Sequence, residues 1–198
     1  MLAEEVFSVN ILSLLTEDEL RQHLVDSGRP LRPSPPYPVI FPTSLVAQAA
    51  HHLWQHGQHT LEQLVLWAGI PTPNGVVITA LMLPATEATR GWVHVLPTEQ
   101  LRIVDWLRHC GQLLFVESHT HGDGPWATEL SDEDRRHPAG RQDGFLTIII
   151  PAYARDGIDF SRAGVWECRG LVWRKLPSHA VRNRLRVVPD QEARDALR

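Results

Sequence analysis

The chain has 198 residues, of which 43% are hydrophobic and 21% are charged, so it can bury a sizeable core in one main domain. Its formal net charge of -4 excludes a protein whose main activity is non-specific nucleic-acid binding, because that activity requires a basic face. No apolar run approaches the roughly 20 residues that span a bilayer. The first residues, "MLAEEVFSVN", carry acids where a signal peptide carries positive charge, so we expect a cytoplasmic protein.

The first 38 residues are predicted to form an extension. Thr16 and Glu19 have the spacing of a capping box, which indicates a helix start, and the proline-dense segment "RPLRPSPPYP" cannot form regular structure. We therefore divide the chain into an N-terminal helical extension with a proline-rich connector (1–38), a main domain (39–188) and a polar tail (189–198) that we expect to fray. The extension is either an ornament that packs on the domain, which we favour, or an arm that docks a partner or gates a site.

The main domain is predicted to alternate between helices and strands. A helix is expected in "FPTSLVAQAAHHLWQHG", with Leu45, Ala49, Leu53 and Trp54 on its apolar stripe. A hairpin of "EQLVLWAGI" and "GVVITALMLP" is expected around the turn signal "PTPNG". A second helix in "TEQLRIVDWLRHCG" is expected to bury Leu101, Val104 and Leu107, and a buried strand follows in "QLLFVES". Three short strands are expected in "GFLTIIIP", "AGVWECRG" and "LVWRKL". This order predicts an α/β (α+β) fold around one mixed sheet.

The stretch "VESHTHGDGPWATELSDEDRR" carries the chemistry. Residues two apart on a strand point to the same side, so His119 and His121 can aim both imidazoles at one point. Imidazole and carboxylate are zinc ligands, and Asp132 and Asp134 are both candidates for a third ligand that leaves one position for a water with a pKa of about 7. Ser131 could donate to a developing oxyanion beside the metal. The simpler interpretation is a polar loop that opens a helix, because S-x-x-D is also an ordinary helix cap.

Taken together, "HTH", "SDED" and the upstream Glu62 in "EQLVLWAG" resemble the JAMM signature of the JAB/MPN metalloprotease family. The resemblance implies the cytidine-deaminase-like fold of that family, a curved mixed sheet flanked by helices. It also implies that His119, His121 and Asp134 bind Zn2+, that Glu62 is the general acid and base, and that Ser131 stabilises the oxyanion.

The third ligand has two candidates under this resemblance. The family's usual loop length selects Asp132, whereas the S-x-x-D spacing selects Asp134. We prefer Asp134, because Ser131 and the ligand must share one helix start while loop length can vary.

The resemblance also implies a function. The region "GFLTIIIPAYA" followed by "GVWECRG" looks like the bacterial branch found beside ubiquitin-like activating and conjugating enzymes. The implied activity is a zinc-dependent isopeptidase or peptidase that cleaves after the C-terminus of a ubiquitin-like protein, in a conjugation or antiphage defence pathway. The implied partners are that protein, its conjugates and the enzymes of the same operon, without nucleic acid or membrane. The alternatives are a sulfur-carrier-processing peptidase, a DNA-repair-associated JAB-like domain and a non-catalytic MPN scaffold.

The sequence also allows predictions for residues outside the proposed ligand set. Gly122 stands where the family usually has proline, which loosens the loop, and Trp126 in that loop is a candidate for contact with the substrate tail. Glu117 is expected to be a neighbour of the site rather than its base. His52 and His56, one turn apart on the first helix, are interpreted as a solvated helix end rather than a second metal site.

Overall fold

The structure, a computed structural model, describes residues 10–27 and 33–197. In chain order its elements are β1 (Asn10–Ser13), α1 (Glu17–Ser27), β2 (Val39–Pro42), α2 (Thr43–Gly57), β3 (Leu64–Thr72), β4 (Gly75–Leu83), β5 (Thr86–Ala88), β6 (Val93–Val95), α3 (Pro97–His109), β7 (Leu113–Thr120), α4 (Asp132–Arg136), β8 (Leu146–Ile150), a 3-10 turn (Ala152–Ala154), β9 (Gly164–Arg169), β10 (Val172–Lys175), α5 (Ser178–Arg184), β11 (Leu185–Val188) and α6 (Asp190–Asp195).

One long mixed sheet organises the fold. Its strand order is β10-β9-β8-β7-β3-β4-β2-β11, and β1 also pairs with β4. The pairs β7 with β8, β2 with β4, and β2 with β11 are parallel, whereas the other pairs are antiparallel. The sheet is curled into a half-barrel and flanked by helices, which confirms the predicted α+β fold class. The short strands β5 and β6 form a separate two-stranded sheet.

The central hairpin follows the sequence prediction. The strands β3 and β4 pair from Leu66 opposite Met82 to Thr72 opposite Gly75, with the turn at "PN" between them. Nearly every residue of both strands is buried, because helices or other elements cover both faces of the sheet here. Gly69 marks an irregularity in the pairing, and a Cβ at this position would lie 2.4 Å from the carbonyl oxygen of Val77. Only glycine therefore allows the two strands to approach this closely.

The helices bury narrower faces than the sequence suggested. In α2, Leu45, Ala49 and Leu53 are fully buried, as their helical spacing predicted, but Trp54 is 37% exposed. In α3 the buried apolar residue is Ile103, whereas Leu101 is 69% exposed, so the predicted core face of this helix was wrong. The sheet covers only the side of each helix that faces it, and the neighbouring apolar positions remain on the rim. None of the helices within residues 10–27 and 33–197 is long and apolar enough to cross a membrane.

Both ends of the chain pack on the main domain in the part that the structure describes. Thr16 and Glu19 form the predicted capping box of α1, and Leu20 of that helix is buried against Ile70. The expected fraying tail is instead the helix α6, and its Asp190 accepts a hydrogen bond from the backbone N–H of Ser44 at 3.0 Å. The division at 38 and 188 stays a prediction, and residues 1–9 and 28–32 of the extension lie outside the described residues.

Candidate metal centre

Two neighbouring strands of the sheet position the histidines and the glutamate. His119 is the next-to-last residue of β7 and pairs with Leu64, the first residue of β3. The pairing continues past the end of β3, because Gln63 donates from its N–H to the Thr120 hydroxyl and accepts from the Thr120 N–H, both at 3.0 Å. Glu62 precedes Gln63, so the register carries this carboxyl group to the same end of the sheet as the two histidines.

His119, His121 and Asp134 form a compact group of three ligand atoms. The two Nε2 atoms are 3.2 Å apart. Oδ1 of Asp134 lies 3.3 Å from Nε2 of His119, and Oδ2 lies 3.5 Å from Nε2 of His121. Bonds of about 2.0–2.2 Å to a tetrahedral zinc ion would place neighbouring ligand atoms about 3.3–3.6 Å apart. The spacing of the three side chains therefore fits a single ion between them.

Both imidazoles are held by hydrogen bonds at their other nitrogen. Nδ1 of His119 lies 3.0 Å from Oε1 of Glu117, and Oε2 of Glu117 accepts from the backbone N–H of Ala139 at 2.7 Å. Nδ1 of His121 lies 3.5 Å from the carbonyl oxygen of Trp126. A proton on each Nδ1 leaves each Nε2 as a free lone pair, which is the tautomer that metal-binding histidines adopt. Glu117 is thus a partner of His119, as expected for a neighbour of the site.

The start of α4 brings Asp134 to the histidines. Ser131 is the N-cap of this helix: its Oγ accepts from the Asp134 N–H at 3.1 Å, and its own N–H donates to Oδ2 of Asp134 at 2.7 Å. This capping box fixes the Asp134 carboxylate and places the Ser131 hydroxyl beside it. Asp132 is exposed and lies outside the three-residue group. The structure confirms the simpler interpretation of the motif, a helix cap, and this cap is compatible with the metal-site interpretation.

The electrostatic field of the group favours a positive charge. Burial lowers the pKa of His119, but the carboxylates of Asp134 and Glu117 outweigh it and raise this pKa to about 10. Burial also opposes ionisation of Asp134, yet hydrogen bonds from the two histidines and Ser131 hold its pKa well below the ordinary value. The negative charges that favour a proton on His119 also favour a metal cation that replaces this proton.

Glu62 lies beside this group as a buried carboxyl group with an unused oxygen. Its side chain is almost fully buried, and Oε2 is shielded from solvent with no hydrogen-bond partner among the described residues. Burial raises its pKa to about 7, while the nearby histidines act in the opposite direction. A cavity of about 510 Å³ opens next to it, lined among others by His52, His56 and Thr86. A carboxyl group with this pKa can exchange a proton with a water or an amine near neutral pH.

The helix histidines are less solvated than the sequence suggested. Nε2 of His52 is shielded from solvent without a hydrogen-bond partner, and burial lowers the pKa of this side chain to about 4. His52 and His56 line the cavity next to Glu62, so they do not lie at a helix end in open solvent. The interpretation of this pair as a solvated helix end was therefore wrong for His52.

A strained turn explains the glycine after the second histidine. Residues 152–154 have positive φ angles between 50° and 58°, which is costly for residues with a side chain. The turn is fixed to the site because the Tyr153 N–H donates to the His121 carbonyl oxygen at 2.9 Å. A Cβ on Gly122 would lie 3.0 Å from the Tyr153 hydroxyl. The glycine thus makes room for a tyrosine that the sequence analysis did not single out.

These residues fit a divalent metal ion. Two neutral imidazoles and one carboxylate are a ligand set typical of catalytic zinc, which keeps one position open. The ligand spacing fits such an ion, and Glu62 supplies an unpaired carboxylate oxygen beside it. The arrangement can therefore hold a metal ion next to a proton acceptor, which is the minimum for metal-assisted hydrolysis.

Comparisons with known proteins support the same class of activity. No protein-family model matches the chain. It is 28% identical over 145 residues to a Sinorhizobium fredii protein named "Probable metalloprotease y4jG", and the match covers 71% of this chain and 88% of that relative. The solution structure of protein DSY2949 from Desulfitobacterium hafniense has a TM-score of 0.54 at 14% identity, covering 76% of this chain and 93% of the other, which shows the fold alone. The relative and the ligand group together support a metal-dependent peptidase.

Proposed function

We propose that the protein is a JAMM-type zinc isopeptidase or peptidase that cleaves after the C-terminus of a ubiquitin-like protein. The observation that carries the proposal is the convergence of His119, His121 and Asp134 at ligand spacing, with the buried Glu62 beside them. A bland helix cap accounts for Ser131 and Asp134, but it does not account for two imidazoles whose free nitrogens meet at the same carboxylate.

The chain's own residues divide the work of hydrolysis. A zinc ion held by His119, His121 and Asp134 would, when bound, act as a Lewis acid toward water and the scissile carbonyl. Glu62 takes the proton of the attacking water and returns it to the leaving amine, which a pKa near 7 allows in both directions. Ser131 donates its hydroxyl proton to the oxyanion, since its Oγ accepts only the Asp134 N–H in the capping box.

The surroundings of Glu62 suit an extended peptide tail. The Glu62 N–H donates to the Thr89 carbonyl oxygen at 2.8 Å, which holds the β5–β6 hairpin against the start of β3. Thr86 and Ala88 of β5 line the cavity next to Glu62, and β5 pairs only with β6 among the described strands. An extended C-terminal tail can add along this free edge through main-chain hydrogen bonds. Trp126, 75% exposed in the loop after His121, is the neighbouring apolar contact for the modifier.

The proposed partners are a ubiquitin-like protein, its conjugates, and the activating and conjugating enzymes of the same bacterial operon, acting in the cytoplasm in conjugation or antiphage defence. The acidic composition favours protein substrates over nucleic acid. The test is cleavage by the zinc-loaded protein of two fusions: a bacterial ubiquitin-like protein joined to a lysine-containing peptide, and a sulfur-carrier protein joined to the same peptide.

Cleavage at the C-terminus of the ubiquitin-like protein supports the proposal. Cleavage of the sulfur-carrier fusion alone would replace the substrate, while the same residues would still act. Zinc-loaded protein that binds the ubiquitin-like protein and cleaves neither fusion would contradict the proposed activity and favour a non-catalytic scaffold.

A further inference from the structure

A second group of ligand-type side chains lies on another face of α4. His94 is the middle residue of β6, Glu133 lies in α4, and His137 follows the last residue of that helix. Glu133 and His137 are four residues apart, so both project from the same face of the helix. Glu133 precedes Asp134, and successive residues of a helix point about 100° apart. The second group is therefore separate from the first, although one short helix serves both.

The spacing of this group matches that of the first. Oε1 of Glu133 lies 3.2 Å from Nε2 of His94 and 3.4 Å from Nε2 of His137, and all three ligand atoms lie within 4.8 Å of one another. The two imidazole rings are close to each other, with centroids 4.9 Å apart and planes tilted by 50°. The distances of 3.2 Å and 3.4 Å to the carboxylate are close to the separation of about 3.3–3.6 Å between ligands of a tetrahedral zinc ion.

The alignment of the atoms favours a shared ion over direct hydrogen bonds. Nε2 of His94 is shielded from solvent and has no hydrogen-bond partner in the described part of the chain, even though Oε1 of Glu133 is only 3.2 Å away. A hydrogen bond requires the N–H to point at the oxygen, whereas metal ligands point at a common centre between them. The other oxygen of Glu133 accepts from Arg136 at 3.1 Å, which leaves Oε1 to the two histidines.

The surroundings restrain the two histidine side chains. His94 and His137 line a cavity of about 510 Å³ whose other walls are mostly apolar. The Trp92 ring stacks on His94, with centroids 4.8 Å apart, and restrains its orientation. Two imidazoles and one carboxylate prefer zinc and similar transition metals over magnesium or calcium, which favour oxygen ligands.

We propose that His94, Glu133 and His137 bind a second divalent transition-metal ion, which ties the β5–β6 hairpin to α4. The hairpin holds the backbone of Glu62 through Thr89, and α4 supplies Asp134 to the first group. A second ion would therefore join the two segments that flank the candidate active site. This proposal does not depend on peptidase activity, because it concerns only where ions bind and which segments they connect.

Counting bound zinc tests the proposal. The full chain is stripped with a chelator, reloaded with zinc sulfate, freed of excess metal and analysed by mass spectrometry for zinc per chain. We expect two ions in the wild type, one in His137→Ala, one in His119→Ala and none in the double variant. The exposed His179 is the matched control, and His179→Ala is expected to retain two ions.

The outcomes separate the two sites. One ion in the wild type that His119→Ala removes and His137→Ala retains would overturn the second site and leave the first intact. Two ions that persist in His137→Ala would also overturn it, because the second ion would bind elsewhere. One ion that only His137→Ala removes would support the second site and contradict the first. Glu133→Gln, which keeps the shape of the side chain, is expected to lose the same ion as His137→Ala.

Hydrogen exchange tests the connection between the hairpin and the helix. In the His119→Ala variant, zinc is expected to slow amide exchange in β5 and β6, because the ion fixes the hairpin to α4. The His119→Ala/His137→Ala variant is expected to show no change on zinc addition. Equal exchange rates with and without zinc in His119→Ala, at full occupancy of one ion, would contradict the tie between the two segments.

Discussion

The two ligand groups around α4 have the same composition but different surroundings. The group of His119, His121 and Asp134 is largely buried, and Glu117 and a backbone carbonyl hold its imidazoles in one tautomer. The group of His94, Glu133 and His137 is partly exposed. The ring of His94 packs against the ring of Trp92.

A proton acceptor distinguishes the groups most clearly. Glu62, with an unpaired carboxylate oxygen and a pKa near 7, lies beside the first group, whereas the second faces a mostly apolar cavity. Ligands alone can hold an ion, but hydrolysis also needs a base within reach. We therefore propose catalysis at the first group and a structural ion at the second.

The largest expected effect comes from the third ligand of the buried group. Asp134→Ala removes both carboxylate contacts to the histidines and the capping interaction with Ser131, so we expect it to lose the ion of the first group and all cleavage, while the second group keeps its ion. Asp132→Ala is the matched control, because this exposed residue lies two positions away in the same helix. Zinc content and turnover are measured for both. A greater loss of zinc in Asp132→Ala would reassign the ligand.

The next effect separates the base from the ligands. Glu62→Gln is expected to keep zinc at the wild-type level and to reduce kcat about 10²–10⁴-fold, the usual contribution of a general acid or base. Glu87→Gln, an exposed carboxylate in β5, controls for the loss of a charge near the site. Turnover of Glu62→Gln within twofold of the wild type would remove Glu62 from the mechanism.

A smaller effect is expected behind the first histidine. Glu117→Gln keeps the size of the side chain but weakens its hold on Nδ1 of His119, and such partners typically contribute about 10–100-fold to metal affinity. Zinc affinity is measured by competition with a chelator, with the exposed Glu192→Gln as the control. Unchanged affinity in Glu117→Gln would mean that the β7 backbone alone orients the imidazole.

The smallest effect concerns stability in the metal-free protein. Burial raises the pKa of Glu62 from 4.5 to about 7, so the folded chain binds more protons than the unfolded chain between these values. The free energy of unfolding of the wild type therefore falls as pH rises through this window. Glu62→Gln has no carboxyl group at this position and does not show this decrease. From pH 5 to pH 8, we expect the free energy of unfolding of Glu62→Gln to rise by about 1–3 kcal/mol relative to that of the wild type. Urea unfolding at both pH values measures it, and a constant difference would contradict the raised pKa.

The sequence predicted best those features that depend on local spacing. The turn signal between β3 and β4, the Thr16–Glu19 capping box and the position of His119 at a strand end all follow from a few neighbouring residues. The same holds for Ser131 and Asp134, whose spacing defines a helix start. The roles of the site residues stay predictions, but their convergence in space follows from these local rules together with the family resemblance.

Features that depend on distant contacts were not predictable in the same way. The parallel pairing of β11 with β2 joins segments more than 140 residues apart, and no local sequence pattern predicts it. The exposure of Trp54 and Leu101 depends on how far the sheet extends under each helix. His94 and His137 are far apart in the chain, and the only local sign of the second group is the four-residue spacing of Glu133 and His137.

Anomalous diffraction at the zinc absorption edge, from crystals of the zinc-loaded protein, tests the central claim most directly. We expect an anomalous peak about 2.0–2.2 Å from Nε2 of His119, Nε2 of His121 and a carboxylate oxygen of Asp134. These distances are ordinary zinc bond lengths. Glu62 is expected near this peak but outside bonding distance. Fully loaded crystals with no peak among these three side chains, or with the two imidazoles turned away from each other, would contradict it.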